Sequence, residues 1–150
     1  MYFDISNIVF GDFNNATHLS NHLNYLLHTD ADQKFTNEDS VGNVLLQFDK
    51  NNHCEATYWN EDLKERKKQK NKIFNDLRQQ WDSLYFTRIE CPKDEIFHWN
   101  NSMVEEMFEI IQELQDIGVI VVLAEVHDDQ PKNYCHFHLI CKNIEPILDN

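Results

Sequence analysis

Apolar positions recur along the chain with two different periods, and the switches between them mark out the elements. Residues 2–10 alternate apolar and polar and predict a first strand. From Leu19 to His28 the period becomes helical: Leu19, Leu23, Leu26 and Leu27 fall on one face, and Thr17 or Ser20 offers a cap. The stretch from Asp30 to Ser40 is polar and reads as loop, and Val44 to Phe48 is a short strand. A second helix runs from Glu61 to about Gln80, with Leu63, Ile73, Phe74 and Leu77 as a thin apolar stripe. Ser83 to Cys91 alternates again and stops at Pro92, the pattern of a strand. The clearest helix extends from Ser102 to Ile117. Ser102 and Glu105 form a capping box at its start, Met103, Met107, Phe108, Ile111, Leu114 and Ile117 lie on its apolar face, and Gly118 ends it.

The chain then turns β-branched and apolar through Val119–His127 and, after a polar loop over 128–134, resumes as Cys135-His136-Phe137-His138-Leu139-Ile140. The order β-α-(β)-α-β-α-β-β predicts an α+β domain. It would have one antiparallel-rich sheet, the histidine-bearing hairpin at its centre and helices packed on the opposite face. No Gly/Ser-rich or Pro-rich linker and no repeat divides the 150 residues, so one domain is expected.

Composition narrows the class. Glycine and proline are scarce and aromatics plentiful, as in a folded globular chain. No apolar run approaches a membrane span and the N-terminus lacks the order of a signal peptide, so a cytoplasmic protein with no membrane partner is expected. Cys54, Cys91, Cys135 and Cys141 form no C-x-x-C pair and read as small buried hydrophobes of a reducing compartment. The formal charge of −13 argues against general polyanion binding. Yet Lys64, Arg66, Lys67, Lys68, Lys70, Lys72 and Arg78 supply seven of the thirteen basic residues in one short stretch. That island is either a solvated helix face or a surface for phosphates.

The chemistry concentrates in the hairpin. Alternate side chains of a strand share a face, so His136 and His138 point together. If His127 pairs opposite His136, Glu125 falls opposite His138, and three imidazoles and a carboxylate converge. Neutral imidazole suits Zn, Mn, Fe, Ni and Cu, and three imidazoles with one carboxylate leave room for substrate or water. On the first helix, His18, His22 and Tyr25 recur at i, i+4 and i+7 and line one face.

A strand ending in His127, a short polar turn and the His136-Phe-His138 pair resemble the HUH endonucleases, in particular their relaxase, or plasmid mobilization, branch. The helix around Leu23-Asn-Tyr25-Leu-Leu resembles the relaxase nucleophile helix. Tyr58-Trp59-Asn-Glu-Asp-Leu-Lys-Glu-Arg66 is similar to a stretch of mobilization proteins, and Arg88-Ile-Glu-Cys-Pro resembles the strand leading into the helix before the hairpin. The family's proline ahead of the paired histidines is absent at Tyr134 or Cys135, and the chain reads as a minimal or truncated member.

The resemblance implies a divalent metal, Mn or Mg with Zn or Ni as further fits, held by His127, His136 and His138. It also implies nicking and strand transfer of single-stranded DNA through a phosphotyrosyl bond to Tyr25, with His22 as the substitute nucleophile. Glu125 and Asp128 would orient the imidazoles. Lys64, Arg66, Lys67, Lys68, Lys70 and Lys72 would contact the strand's phosphates. A non-enzymatic class competes with this: a catalytically idle HUH-like domain that binds nucleic acid, or that turns its acidic surface to a basic protein. Histidine-triad nucleotide hydrolases fit poorly, because Ile140 stands where their third histidine would be.

Overall fold

The computed structural model describes residues 4–29, 44–58, 62–90, 101–127 and 136–148. At its centre β5 (Ile120–His127) and β6 (His136–Lys142) pair antiparallel, with His127 opposite His136 and Glu125 opposite His138. This is the register in which the polar side chains of the two strands share a face. β4 (Tyr85–Glu90) flanks β6, and the two-residue β1 (Gly11–Asp12) follows it. On the other side β2 (Val44–Phe48) pairs with β5, and β3 (Cys54–Tyr58) closes the order β1-β4-β6-β5-β2-β3. Every pairing is antiparallel, so the fold is α+β with one open six-stranded sheet.

Helices cover both faces of this sheet, not only the face away from the histidines as the pattern suggested. α1 (Ala16–Leu27) and α2 (Leu63–Leu77) lie on the histidine face, where Leu19, Leu23, Leu26 and Ile73 pack with Leu123 and Ile140. α3 (Asn101–Asp116) lies on the other, where Met107, Ile111 and Leu114 meet Val126, Phe137 and Leu139. The reason is in β6 itself: every residue from His136 to Cys141 is buried, so neither face can be left to water. A bulge between Val121 and Leu123 serves both layers. It sends Val121 to the α3 side and Leu123 to the α1 side. The outer face of α3 carries the exposed Glu105, Glu109, Glu113 and Asp116.

Helix ends follow local chemistry. Asn15, rather than Thr17 or Ser20, caps α1, its side chain accepting the His18 N–H at 2.8 Å. His28 closes α1 in the left-handed region at φ 50°. α3 ends in a Schellman motif: Gly118 at φ 98° donates to Gln115 O, and Val119 donates to Leu114 O, each at 3.0 Å. The Ser102 side chain of the expected capping box lies outside the described residues. α2 stops at Leu77 and tightens into a 3-10 segment over Arg78–Ser83.

Residues 4–10 do not form the expected strand, and residues 2 and 3 lie outside the described residues. The Asp4 carboxylate accepts from the Ser6 N–H and Oγ–H at 2.9 and 2.8 Å, folding Ile5–Asn7 into a 3-10 turn and leaving only Gly11 and Asp12 to pair. β3 was not foreseen because Cys54, Glu55 and Ala56 are exposed and carry no apolar alternation. It forms through the turn before it, where Asp49 accepts from the Asn51 and His53 N–H groups. A short α4 (Glu145–Leu148) ends the described chain. Among the described residues no helix is long and apolar enough to cross a membrane.

Leu23 is fully buried between α1 and the sheet. Leu23→Ala is expected to cost about 2–5 kcal/mol in chemical denaturation, as buried leucine truncations do. A loss below about 1 kcal/mol would show that α1 is not a required cover of the histidine face.

Candidate functional site

The hairpin register sets out two cross-strand rows on one face. In the first, Glu125 of β5, His138 of β6 and Arg88 of β4 stand side by side. In the second, His127, His136 and Glu90 do. His136 and His138 are 0% and 3% exposed and their ring centroids are 4.8 Å apart. Glu125 is 1% exposed. Arg88 and Glu90 form an ion pair at 3.0 Å at the solvent edge of the rows. The His127 backbone is in place opposite His136, but its imidazole lies outside the described residues, as does Asp128.

α1 supplies the roof. Its leucines take the core, which turns the next stripe of the helix toward β6. The Tyr25 ring stands 5.4 Å from His138 and 6.4 Å from His22, and His22 is 6.2 Å from His138. Phe86 lies 4.9 Å from His22. His18, on the same stripe, is drawn off to the helix start, where its Nδ1 accepts the Asn14 N–H at 3.1 Å.

Two residues join the cluster that sequence reasoning passed over. His28 stands 6.4 Å from Tyr25 and extends the stripe by one more turn. The i+3 spacing from Tyr25 was its signal, hidden because His28 sits in the cap. Arg88 enters through the β4 register, and the alternation of Phe86, Arg88 and Glu90 was its signal.

Burial decides the protonation of the site. His138 is held neutral, its pKa lowered to about 2 first by loss of solvation and then by the nearby His136, His22, Arg88 and His28. His22 is lowered to about 4, again mainly by burial, with His18 adding to it. Burial pushes Glu125 the other way, well above the usual carboxyl range. The site therefore holds neutral imidazoles beside a carboxyl group that favours its protonated form.

Neutral imidazoles are the form that ligates metal. With a metal–nitrogen bond of about 2.1 Å, two imidazole centroids on one ion stand roughly 4.6 Å apart at a right angle and roughly 5.3 Å apart at a tetrahedral angle. The 4.8 Å between His136 and His138 falls in that interval. Among the described residues no three His, Cys, Asp or Glu side chains form a metal-binding group.

The basic island divides. Arg66 is 5% exposed and its Nη2 donates to the His28 carbonyl at 3.3 Å, so it braces the end of α1 and does not stand with the solvated lysines. Lys70 donates to Ser20 Oγ at 2.7 Å and lies over the Phe74 ring. Lys68 pairs with Glu65 at 3.4 Å. Lys68 and Lys72 line a cleft of about 290 Å³ between α2 and the β2–β3 edge, where Glu55 and Glu65 offset their charge. Lys64, Lys67 and Lys72 remain exposed. No family model, curated protein or solved structure matches the chain.

Two outcomes are expected. Because the folded pKa values of His22 and His138 lie below the ordinary 6.5, the unfolded chain binds the extra protons and stability falls as the pH is lowered. Their contribution is whole above pH 6.5. It declines toward pH 4 for His22 and toward pH 2 for His138, by up to about 1.4 kcal/mol per pH unit each. Glu125 acts with the opposite sign, its contribution full below the ordinary 4.5 and lost as pH rises through its raised value. Urea denaturation from pH 7 to 4 should show the decline, and His22→Gln should flatten it; an equal slope in the variant would contradict the assignment.

The second outcome separates Arg66 from the lysines. Arg66→Ala is expected to cost about 1.5–3 kcal/mol of stability, as loss of a charged donor to a part-buried carbonyl does. It should leave the salt dependence of any nucleic-acid binding unchanged. Replacing Lys64, Lys67 and Lys72 by Gln should do the reverse, and matching effects from the two variants would refute the division.

Proposed function

We propose that the chain is a single HUH relaxase-like domain that nicks single-stranded DNA and transfers the strand through Tyr25. The observation that carries this reading is the 5.4 Å approach of the Tyr25 ring to His138, which sits in the histidine row of the central hairpin. Nothing in the hairpin's own sequence requires a tyrosine above it. A purely structural histidine pair would be served as well by a leucine.

In this reading the Tyr25 phenolic oxygen attacks a backbone phosphorus in line with the departing oxygen. One phosphorus–oxygen bond of the strand breaks as the phosphotyrosyl bond forms, and the departing oxygen takes up a proton as a strand-end hydroxyl. Attack by a free hydroxyl reverses the exchange and restores Tyr25. His136 and His138, joined by His127 from the facing strand, are the residues that would hold a divalent ion such as Mn or Mg, with Zn or Ni also suited to imidazole. Bound there, the ion would supply charge stabilisation to the phosphate in the transition state. His22, held neutral beside Tyr25, is the substitute nucleophile. Glu125 keeps the imidazoles oriented, and the lysines left in solvent on α2 offer contacts to the strand. A cytoplasmic setting fits this substrate.

One observation favours a second reading. The two hairpin imidazoles are almost wholly buried, which suits hydrogen-bonded structural groups as well as ligands. On that reading the domain is catalytically idle and binds nucleic acid, or docks a basic protein against its acidic surface. Incubation with a labelled single-stranded oligonucleotide in manganese or magnesium separates the two. The active reading expects a covalent adduct that Tyr25→Phe abolishes while metal binding persists. An adduct that survives in Tyr25→Phe would transfer the role to His22. No adduct from the unaltered chain would leave the idle domain as the better account.

A further inference from the structure

The histidine row contains a permanent cation to which neither metal binding nor tyrosine chemistry gives work. Arg88 lies opposite His138 in the β4–β6 ladder, so both side chains leave the same face of the sheet. Its side chain is 37% exposed while His138 and Glu125 beside it are buried, which places the guanidinium where the row opens to solvent. Its charge reaches His138 and helps to keep that imidazole neutral.

Two other cations of this face, among the described residues, are engaged elsewhere. Arg66 donates to the His28 carbonyl, and Lys142, at the far end of β6, donates to Gln80. Arg88 meets Glu90 at 3.0 Å through Nη2 and Oε1. A guanidinium presents five N–H donors in a planar fork, and an exposed ion pair contributes little free energy, so an incoming phosphate can replace the carboxylate at small cost.

We propose that Arg88 anchors a phosphate group at the mouth of the histidine row by exchanging its Glu90 partner for it. Under the strand-transfer reading, on which this rests, the phosphate is a phosphodiester of the bound single strand. A free phosphate group would meet the same chemistry. Glu90 then acts as a competitor: it occupies the fork until the anion arrives and repels the anion while it remains charged.

The test uses the full chain with Tyr25→Phe, which keeps the complex non-covalent. Inorganic phosphate and a single-stranded oligothymidine are titrated separately, read by NMR at the arginine Nε–H signals and by calorimetry. Arg88→Gln is expected to weaken oligothymidine binding about 10- to 100-fold, the worth of a charge-assisted hydrogen bond. It should also reduce the logarithmic salt slope by about 0.7, the share of one phosphate contact on a single strand. Glu90→Gln is expected to strengthen binding, and Arg88→Lys to retain part of it. Tighter binding of oligothymidine than of inorganic phosphate assigns the anion to a strand; the reverse order keeps the site but assigns it to free phosphate.

Unchanged binding in Arg88→Gln overturns the proposal, as does failure of the parent to bind either probe. Equal weakening by Arg88→Gln and Glu90→Gln also overturns it, because the ion pair would then be structural. The covalent reading fails separately, by the absence of an adduct from the unaltered chain even where Arg88-dependent phosphate binding is intact.

Discussion

The pairing of β5 with β6 is the constraint on which the remaining architecture depends. It places two imidazoles and a carboxyl group in the middle of a six-stranded sheet, at positions that exclude solvent. Polar groups at that depth must be neutral or matched, and both conditions dictate what covers them. Burial keeps His138 neutral and Glu125 toward its protonated form, and α1 brings further ring systems over the sheet instead of a fully aliphatic face. A slip of one residue in this pairing would put Phe137 and Leu139 beneath α1 and the histidines against α3. Both layers would lose their match at once, so the register, the neutral imidazoles and the helix assignment are one decision.

The position of α1 is in turn fixed from outside the sheet. Arg66, on α2, reaches back to the carbonyl that ends α1, and Lys70 reaches Ser20 near its start. Part of a run of basic residues, read as a surface for partners, thus holds α1 in place. The tyrosine stripe is aligned over β6 by leucines beneath it and by cationic braces beside it.

The parts of this arrangement legible in the sequence are those where one periodicity acted alone. The hairpin register follows from alternation in 135–140 and 118–127, and α1 and α3 follow from their leucine and isoleucine spacing. Alternation misled over residues 4–10, where the Asp4 carboxylate captures the Ser6 N–H and turns the chain. It was silent at β3, where Cys54, Glu55 and Ala56 are exposed, so that the Asp49 turn and pairing with β2 make the strand. Coverage of both faces was written in the uninterrupted burial of β6, but histidines at 136 and 138 read as polar and masked it. Arg66 shows the same limit. Charge alone does not tell a solvated side chain from one whose guanidinium has a carbonyl to satisfy.

The acidic outer face of α3 and the lysines of α2 lie on opposite sides of the sheet. Among the described residues charge is therefore unevenly divided across the sheet, within a net charge of −13. At separations beyond the Debye length, about 10 Å in ordinary buffers, that asymmetry is screened; within it, a charged body approaching in solution experiences a torque before any contact forms. The two surfaces of one domain therefore differ in charge: the lysines of α2 stand on one side of the sheet and the carboxylates of α3 on the other.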